Sequence, residues 1–192
     1  MDRRIKKHAE ILVDWSTDVE EGDNVIISAS MEAHELVVAL HEEIGKRGAN
    51  PITLFSLDEA KRAYLKNYEG KFETPEHTLA LMEKADVIIG IKSDPNLSAM
   101  NDVPGDILAE YSKARKPIQE EQLSLRWCGT QYPTNSQAQM AEMSLEEYRD
   151  FVYDAILRDW QEVHDMQEKL KKKLDEGKEV DIEGPGTKIS MS

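Results

Sequence analysis

One cysteine, Cys128, is the whole thiol inventory of this sequence, which excludes an internal disulfide framework and fits a reducing compartment. No stretch approaches the roughly 20 apolar residues of a membrane-spanning helix, so no membrane partner is expected. Positive charge is scarce: 24 Lys and Arg face 38 Asp and Glu, a formal net charge of −14. Nucleic-acid binding rests on cationic contacts to phosphate, and this balance argues against it. The basic run Lys171-Lys172-Lys173 lies among Glu168, Asp175, Glu176 and Glu179 and reads as a solvated last helical turn. Met1-Asp2-Arg3-Arg4 is basic but lacks the apolar run of a signal peptide, so a cytoplasmic protein is expected. A chain of 192 residues can bury one proper core, with room for a small appendage.

What the sequence does contain is an alternation of apolar runs and amphipathic segments. Ile5, Ala9, Leu12 and Val13 recur at helical spacing between Asp2 and Ser16. Gly22-Asp23 turns into a short strand, Asn24 to Ser28, followed by a helix from about Met31 to Lys46 with Leu36, Val37, Leu40 and Ile44 on one face. Ile52 to Phe55 reads as a second strand and Asp58 to Tyr68 as a helix. Thr74 and Pro75 offer a cap and first position for a helix ending near Ala85, ahead of a third strand, Val87 to Ile91. Short pieces are expected at Asn96 to Ala99 and Gly105 to Lys113, then a strand near Leu125 to Cys128. Ser144 to Glu147 forms a capping box for a helical stretch from Glu146 to Leu174, broken near Trp160, with Phe151, Val152, Ile156, Val163, Met166 and Leu170 facing inward. Lys178 to Asp181 and Thr187 to Met191 read as two strands round Gly184-Pro185-Gly186. A two-stranded ribbon is marginal alone, so this one is expected to begin a further domain.

The pattern predicts an α/β fold: a parallel-sheet, three-layer domain with helices on both faces, a carboxyl-terminal helical stretch and the start of a second domain. The expected boundaries are 1–177 for the α/β domain and 178–192 for the beginning of a second domain.

Ligands of such sheets bind outside the carboxyl ends of the strands. Those ends are Ser28-Ala29-Ser30, Ser56-Leu57-Asp58, Lys92-Ser93-Asp94-Pro95 and Gly129 to Thr134. None carries a dinucleotide fingerprint or a phosphate loop. Ser28 and Ser30 read as caps of the next helix ahead of anion ligands. His34 and His41 share a helical face but stand about 10 Å apart by helical rise, too far for one metal. His8, His34, His41, His77 and His164 all read as surface residues, so no metal site is expected here. Cys128 has no histidine partner nearby in sequence and reads as a buried structural thiol. Lys92, Asp94, Glu120 and Glu121 read as polar loop residues, and no catalytic constellation emerges.

One block is more distinctive than its chemistry. Arg126-Trp127-Cys128-Gly129-Thr130-Gln131-Tyr132-Pro133-Thr134-Asn135 is followed by Gln137-Ala138-Gln139 and by Met143 to Tyr153, MSLEEYRDFVY. Together these resemble the tryptophan, Tyr-Pro-Thr and Met-Ser-Leu-Glu-Glu-Tyr-x-Asp-Phe-Val elements of the aminopeptidase T family of thermophilic metalloaminopeptidases. Lys84 to Ile89 and Glu183 to Thr187 fit the same order. The resemblance implies a two-domain exopeptidase that removes amino-terminal residues from a peptide substrate with two divalent metal ions of the zinc or cobalt class. It also implies a homodimer. The family's metal ligands belong to its carboxyl-terminal domain and map onto no position here. No catalytic, cofactor-binding or metal residue is therefore carried over, and this chain alone is expected to be inactive, its loop at Tyr132 to Asn135 docking the missing domain and helping to wall the active site. Trp127, Tyr132 and Pro133 otherwise read as core and turn residues. The alternative is a stand-alone binding or dimerisation module.

Overall fold

The computed structural model describes residues 1–191. By internal contacts the chain divides into two units, Met1–Leu157 and Arg158–Ser192.

The first unit opens with α1, Arg3–Glu10, whose Asp2 cap accepts a hydrogen bond from the Arg4 backbone N–H at 2.8 Å, and continues in π-type winding through Ile11–Ser16. Then come β1 (Asn24–Ser30), a 3-10 turn (Met31–Ala33), α2 (His34–Lys46), β2 (Asn50–Ser56) and α3 (Asp58–Asn67). Gly48, at φ +72°, makes the tight turn from α2 into β2 that a side chain would strain. The order continues with α4 (Glu76–Met82), β3 (Val87–Lys92), α5 (Gly105–Ala114), α6 (Lys116–Ser124), β4 (Arg126–Gln131), α7 (Asn135–Met140) and α8 (Leu145–Ile156).

The four strands form one parallel sheet in the order β2-β1-β3-β4. Successive side chains alternate between its faces. Val25, Ile27 and Ala29 of β1 and Val87, Ile89 and Ile91 of β3 share one core with Ile5, Ala9 and Leu12 of the first helical segment and Leu36, Leu40 and Ile44 of α2. The residues between them, Ile26 and Ile88, enter a second, smaller core with Met82 of α4, Ala85 and Ile118 of α6. Helices on both faces of a parallel sheet are the three-layer α/β arrangement that the sequence pattern predicts.

Three local expectations are corrected. Thr74 does not cap α4: its hydroxyl donates to the Ala114 carbonyl at 2.7 Å, and Pro75 precedes the helix without a side-chain cap. Helix α6 lies where no element is expected, because its sequence buries only Ile118 and shows no apolar period. Of the residues expected to face inward after Ser144, Val152 is buried, while Phe151, Met166 and Leu170 are exposed.

The second unit comprises α9 (Trp160–Glu176) and an antiparallel hairpin of β5 (Val180–Gly184) and β6 (Thr187–Met191). The Asp159 carboxylate caps α9 by accepting from the Gln161 and Glu162 N–H groups at 3.0 and 3.2 Å. Both the helix break near Trp160 and the ribbon agree with the sequence pattern. None of residues 158–191 is buried.

Candidate functional site

The second face of the sheet is covered only over part of its length. Register places Ser28 beside Gly90 and Gly90 beside Gly129, a row across β1, β3 and β4 with no side chain larger than a hydroxymethyl group. A Cβ at Gly90 or Gly129 would meet nothing within 4 Å. This bare row forms the floor of an open groove of about 820 Å³ at the carboxyl-terminal half of the sheet. Its other side is α8, from which Tyr148, Phe151, Val152 and Ile156 line the space at helical spacing. Phe151 is 61% exposed, an apolar ring without cover. Gly90 and Gly129 also line a smaller groove of about 210 Å³, shared with Ile88, Leu123 and Trp127.

The block that sequence reading singled out positions α8 beside the strand ends. The Tyr132 N–H donates to the Lys92 carbonyl at 3.0 Å, and its hydroxyl to Glu35 Oε2 at 3.1 Å. Burial, with that carboxylate behind it, pushes the Tyr132 phenol up to about 12. Thr134 and Gln137 form a reciprocal capping box on α7, while the Thr134 and Ser136 hydroxyls donate to the Asp94 carbonyl at 3.1 and 2.5 Å. Ser144 and Glu147 form the predicted box on α8. The Gln131 amide donates to the Tyr148 hydroxyl, and Arg4 pairs with Asp150 at 2.6 Å. Tyr132, Pro133 and Thr134 are buried, as core and turn residues are, but Trp127 is 55% exposed.

Other candidates resolve as follows. Ser30 does not cap α2. Its N–H donates to Ser93 Oγ at 3.1 Å and its hydroxyl to the Ser93 carbonyl at 2.5 Å, so the pair clasps the ends of β1 and β3 with no donor left for an anion. His8 is the clearest departure from expectation: it is fully buried, not a surface residue. Its Nε2 lies 2.7 Å from Thr130 Oγ1, its ring meets Tyr153 edge-on, and its Nδ1 has no partner among the described residues. Burial pushes the imidazole down to about 4, so it is neutral at pH 7. His34 and His41 are surface residues; His41 Nε2 lies 2.8 Å from Thr53 Oγ1. Cys128 is half-buried against the larger core, and burial raises its thiol, which leaves it a poor nucleophile. Lys92 lines the groove; Asp94 contributes only its carbonyl to the Thr134 turn; Glu120 pairs with Lys116 at 3.5 Å on the surface. No group of three or more His, Cys, Asp or Glu that could hold a metal ion occurs among the described residues. These residues do not fit a metal pair.

The sequence profile of the thermophilic metalloprotease (M29) family matches residues 1–192. The chain belongs to that family. Among solved structures, AmpT from Thermus thermophilus superposes with a TM-score of 0.76 at 22% identity, covering 97% of this chain and 52% of that one. The M29 chain thus has the AmpT fold over about half the length of that structure. An alcohol dehydrogenase superfamily protein from Novosphingobium aromaticivorans covers 79% of this chain and 47% of its own at 12% identity, but its TM-score of 0.33 carries no argument. No curated protein sequence matches significantly. On this M29 fold, the groove takes in Ser28, Lys92 and Gly129 to Gln131, which sequence reading counted among the strand ends, but it lies over the face of the sheet and not outside those ends. The bare Ser28-Gly90-Gly129 row was legible only as a glycine interrupting a strand, a sign of close approach by another group.

Proposed function

We propose that this chain is the amino-terminal, non-catalytic part of a metal-dependent aminopeptidase, and that its groove meets the metal-bearing part and walls the peptide site. The carrying observation is the M29 match over the whole chain. The groove supports the role assigned to this part: apolar, open and rimmed by the exposed Phe151, it is a surface that remains to be covered. The motif at Tyr132 to Asn135 serves this role indirectly, by fixing α8, not by touching the partner itself. On this reading residues 178–192 begin the metal-binding domain, two divalent ions of the zinc or cobalt class are held by residues beyond this chain, and the working enzyme is a cytoplasmic homodimer.

The test is to capture the native product from its source cells with an antibody to this chain, then measure its mass and its release of amino-terminal residues from peptides. The expected result is a product about twice this length, in line with the share of AmpT that the chain covers, whose activity is lost to a chelator and restored by zinc or cobalt. A product of 192 residues without peptidase activity would replace this reading with that of a binding or dimerisation module.

A further inference from the structure

A separate cavity of about 410 Å³ opens among α3, α5 and α6. Two cations enter it, Lys61 from α3 and Arg115 from the junction of α5 and α6, and none of its lining residues is acidic. In a chain of net charge −14 that composition runs against the average surface. Neighbouring cations on α3 are neutralised: Arg62 and Lys66 share the carboxylate of Asp102. Lys61 and Arg115 make no ion pair among the described residues. They lie instead over the Tyr111 ring, the Lys61 ammonium 5.7 Å and the Arg115 guanidinium 5.5 Å from its centre. Tyr111 is itself held by an aromatic cluster, with Phe72 and Tyr64 edge-on at 5.6 and 6.3 Å and Tyr68 stacked on Phe72 at 4.4 Å. Both cations thus lie within 6 Å of the centre of one ring, and both line the same cavity.

Two unneutralised cations held this way repel, and one shared anion replaces that repulsion with two attractions. A guanidinium offers a planar fork suited to tetrahedral or planar oxyanions, and an ammonium a mobile point charge. Neutral donors complete the set: the Ser112 hydroxyl and the amides of Gln119 and Gln122 line the same space. The Gln122 amide donates only to the Met82 thioether at 3.7 Å, a weak acceptor that an oxyanion would outcompete. The cavity is of a size that suits a small organic ligand.

We propose that this cavity binds a small phosphate-class oxyanion between Lys61 and Arg115. The site is independent of the strand-end groove and of the peptidase reading. Calorimetric titration of the 192-residue chain with inorganic phosphate, phenyl phosphate and succinate tests it at low ionic strength. Saturable one-site binding of phosphate or phenyl phosphate is expected, weakened at least tenfold in Lys61→Gln and in Arg115→Gln. Tighter binding of phenyl phosphate would identify an organic phosphate ester as the ligand, and equal affinity the free ion; both support the site. Absence of saturable binding, affinity unchanged in both variants, or preference for succinate would overturn it. Lys61 is exposed on α3, so its variant retains the fold and keeps the test decisive should Arg115→Gln unfold.

Discussion

The two faces of one sheet have opposite fates in this protein. Val25, Ile27 and Ala29 of β1 lie under α1 and α2 with every side chain sealed from water. One residue away along the same strand, Ile26 is covered by the second core, but Ser28 opens onto the groove. The difference arises from side-chain size and helix reach. The closed face offers apolar residues along its length, whereas the other, beyond Ile26 and Ile88, carries the row Ser28, Gly90 and Gly129, which gives a helix little to pack against. A face can thus be structural at one end of its strands and available for binding at the other.

Substitutions that probe each face sharpen this contrast. The largest effect is expected from Leu40→Ala on α2, fully buried in the closed core: a loss of about 2–5 kcal/mol in denaturant unfolding. A loss under about 1 kcal/mol would mean that this face is less tightly packed than its burial indicates.

Second in size is the pH response of the same core. The unfolded chain takes up a proton at His8 near its ordinary value of 6.5, whereas the folded chain does so only near 4. The folded state therefore binds fewer protons in that window, and stability is full above pH 6.5 and falls as pH drops toward 4. The His8 share of that fall is about 3 kcal/mol, and His8→Gln should remove it from unfolding curves measured at pH 7 and pH 4. An equal pH slope in the variant would place the titration elsewhere.

Thr134→Ala should come next, at about 1–2 kcal/mol, because it removes the α7 cap and the bond to the Asp94 carbonyl. Chemical denaturation checks it, and an unchanged midpoint would show that α7 stands without its cap. The smallest effect belongs to the open face. Gly90→Ala adds a Cβ to empty space, and restricting the unfolded chain offsets any cost, so stability should change by less than about 1 kcal/mol.

The sequence foretold the closed face better than the open one for a physical reason. Apolar runs bounded by turns mark β1, β2 and β3, whereas β4 is largely polar beyond Cys128 and runs on to Gln131, past the stretch expected from Leu125 to Cys128. His8 sits in the same stripe as Ile5, Ala9 and Leu12, a spacing that fits the buried side, but its polar type led to a surface reading. Phe151 and Val152 are adjacent on one helix and about 100° apart round it, so both border the groove while only Val152 is buried. Composition marked them alike, and only packing separates them. Helix α6 has too few apolar residues to display a period. The strand ends named from the sequence border the groove only in part, and its bare floor depends on register between strands distant in sequence. The family block was read correctly as distinctive, yet its work is capping and clasping.

The most direct test joins the two faces in one substitution, Phe151→Glu. In the 192-residue chain the unfolding midpoint should stay put, because the ring is 61% exposed. On the proposed peptidase reading, metal-dependent release of amino-terminal residues by the native product captured from its source cells should fall by about tenfold or more, as a charge desolvated at an apolar contact is costly. Full activity with an unchanged midpoint would contradict the account, since the open half of the sheet would then be bare surface without a role in the enzyme.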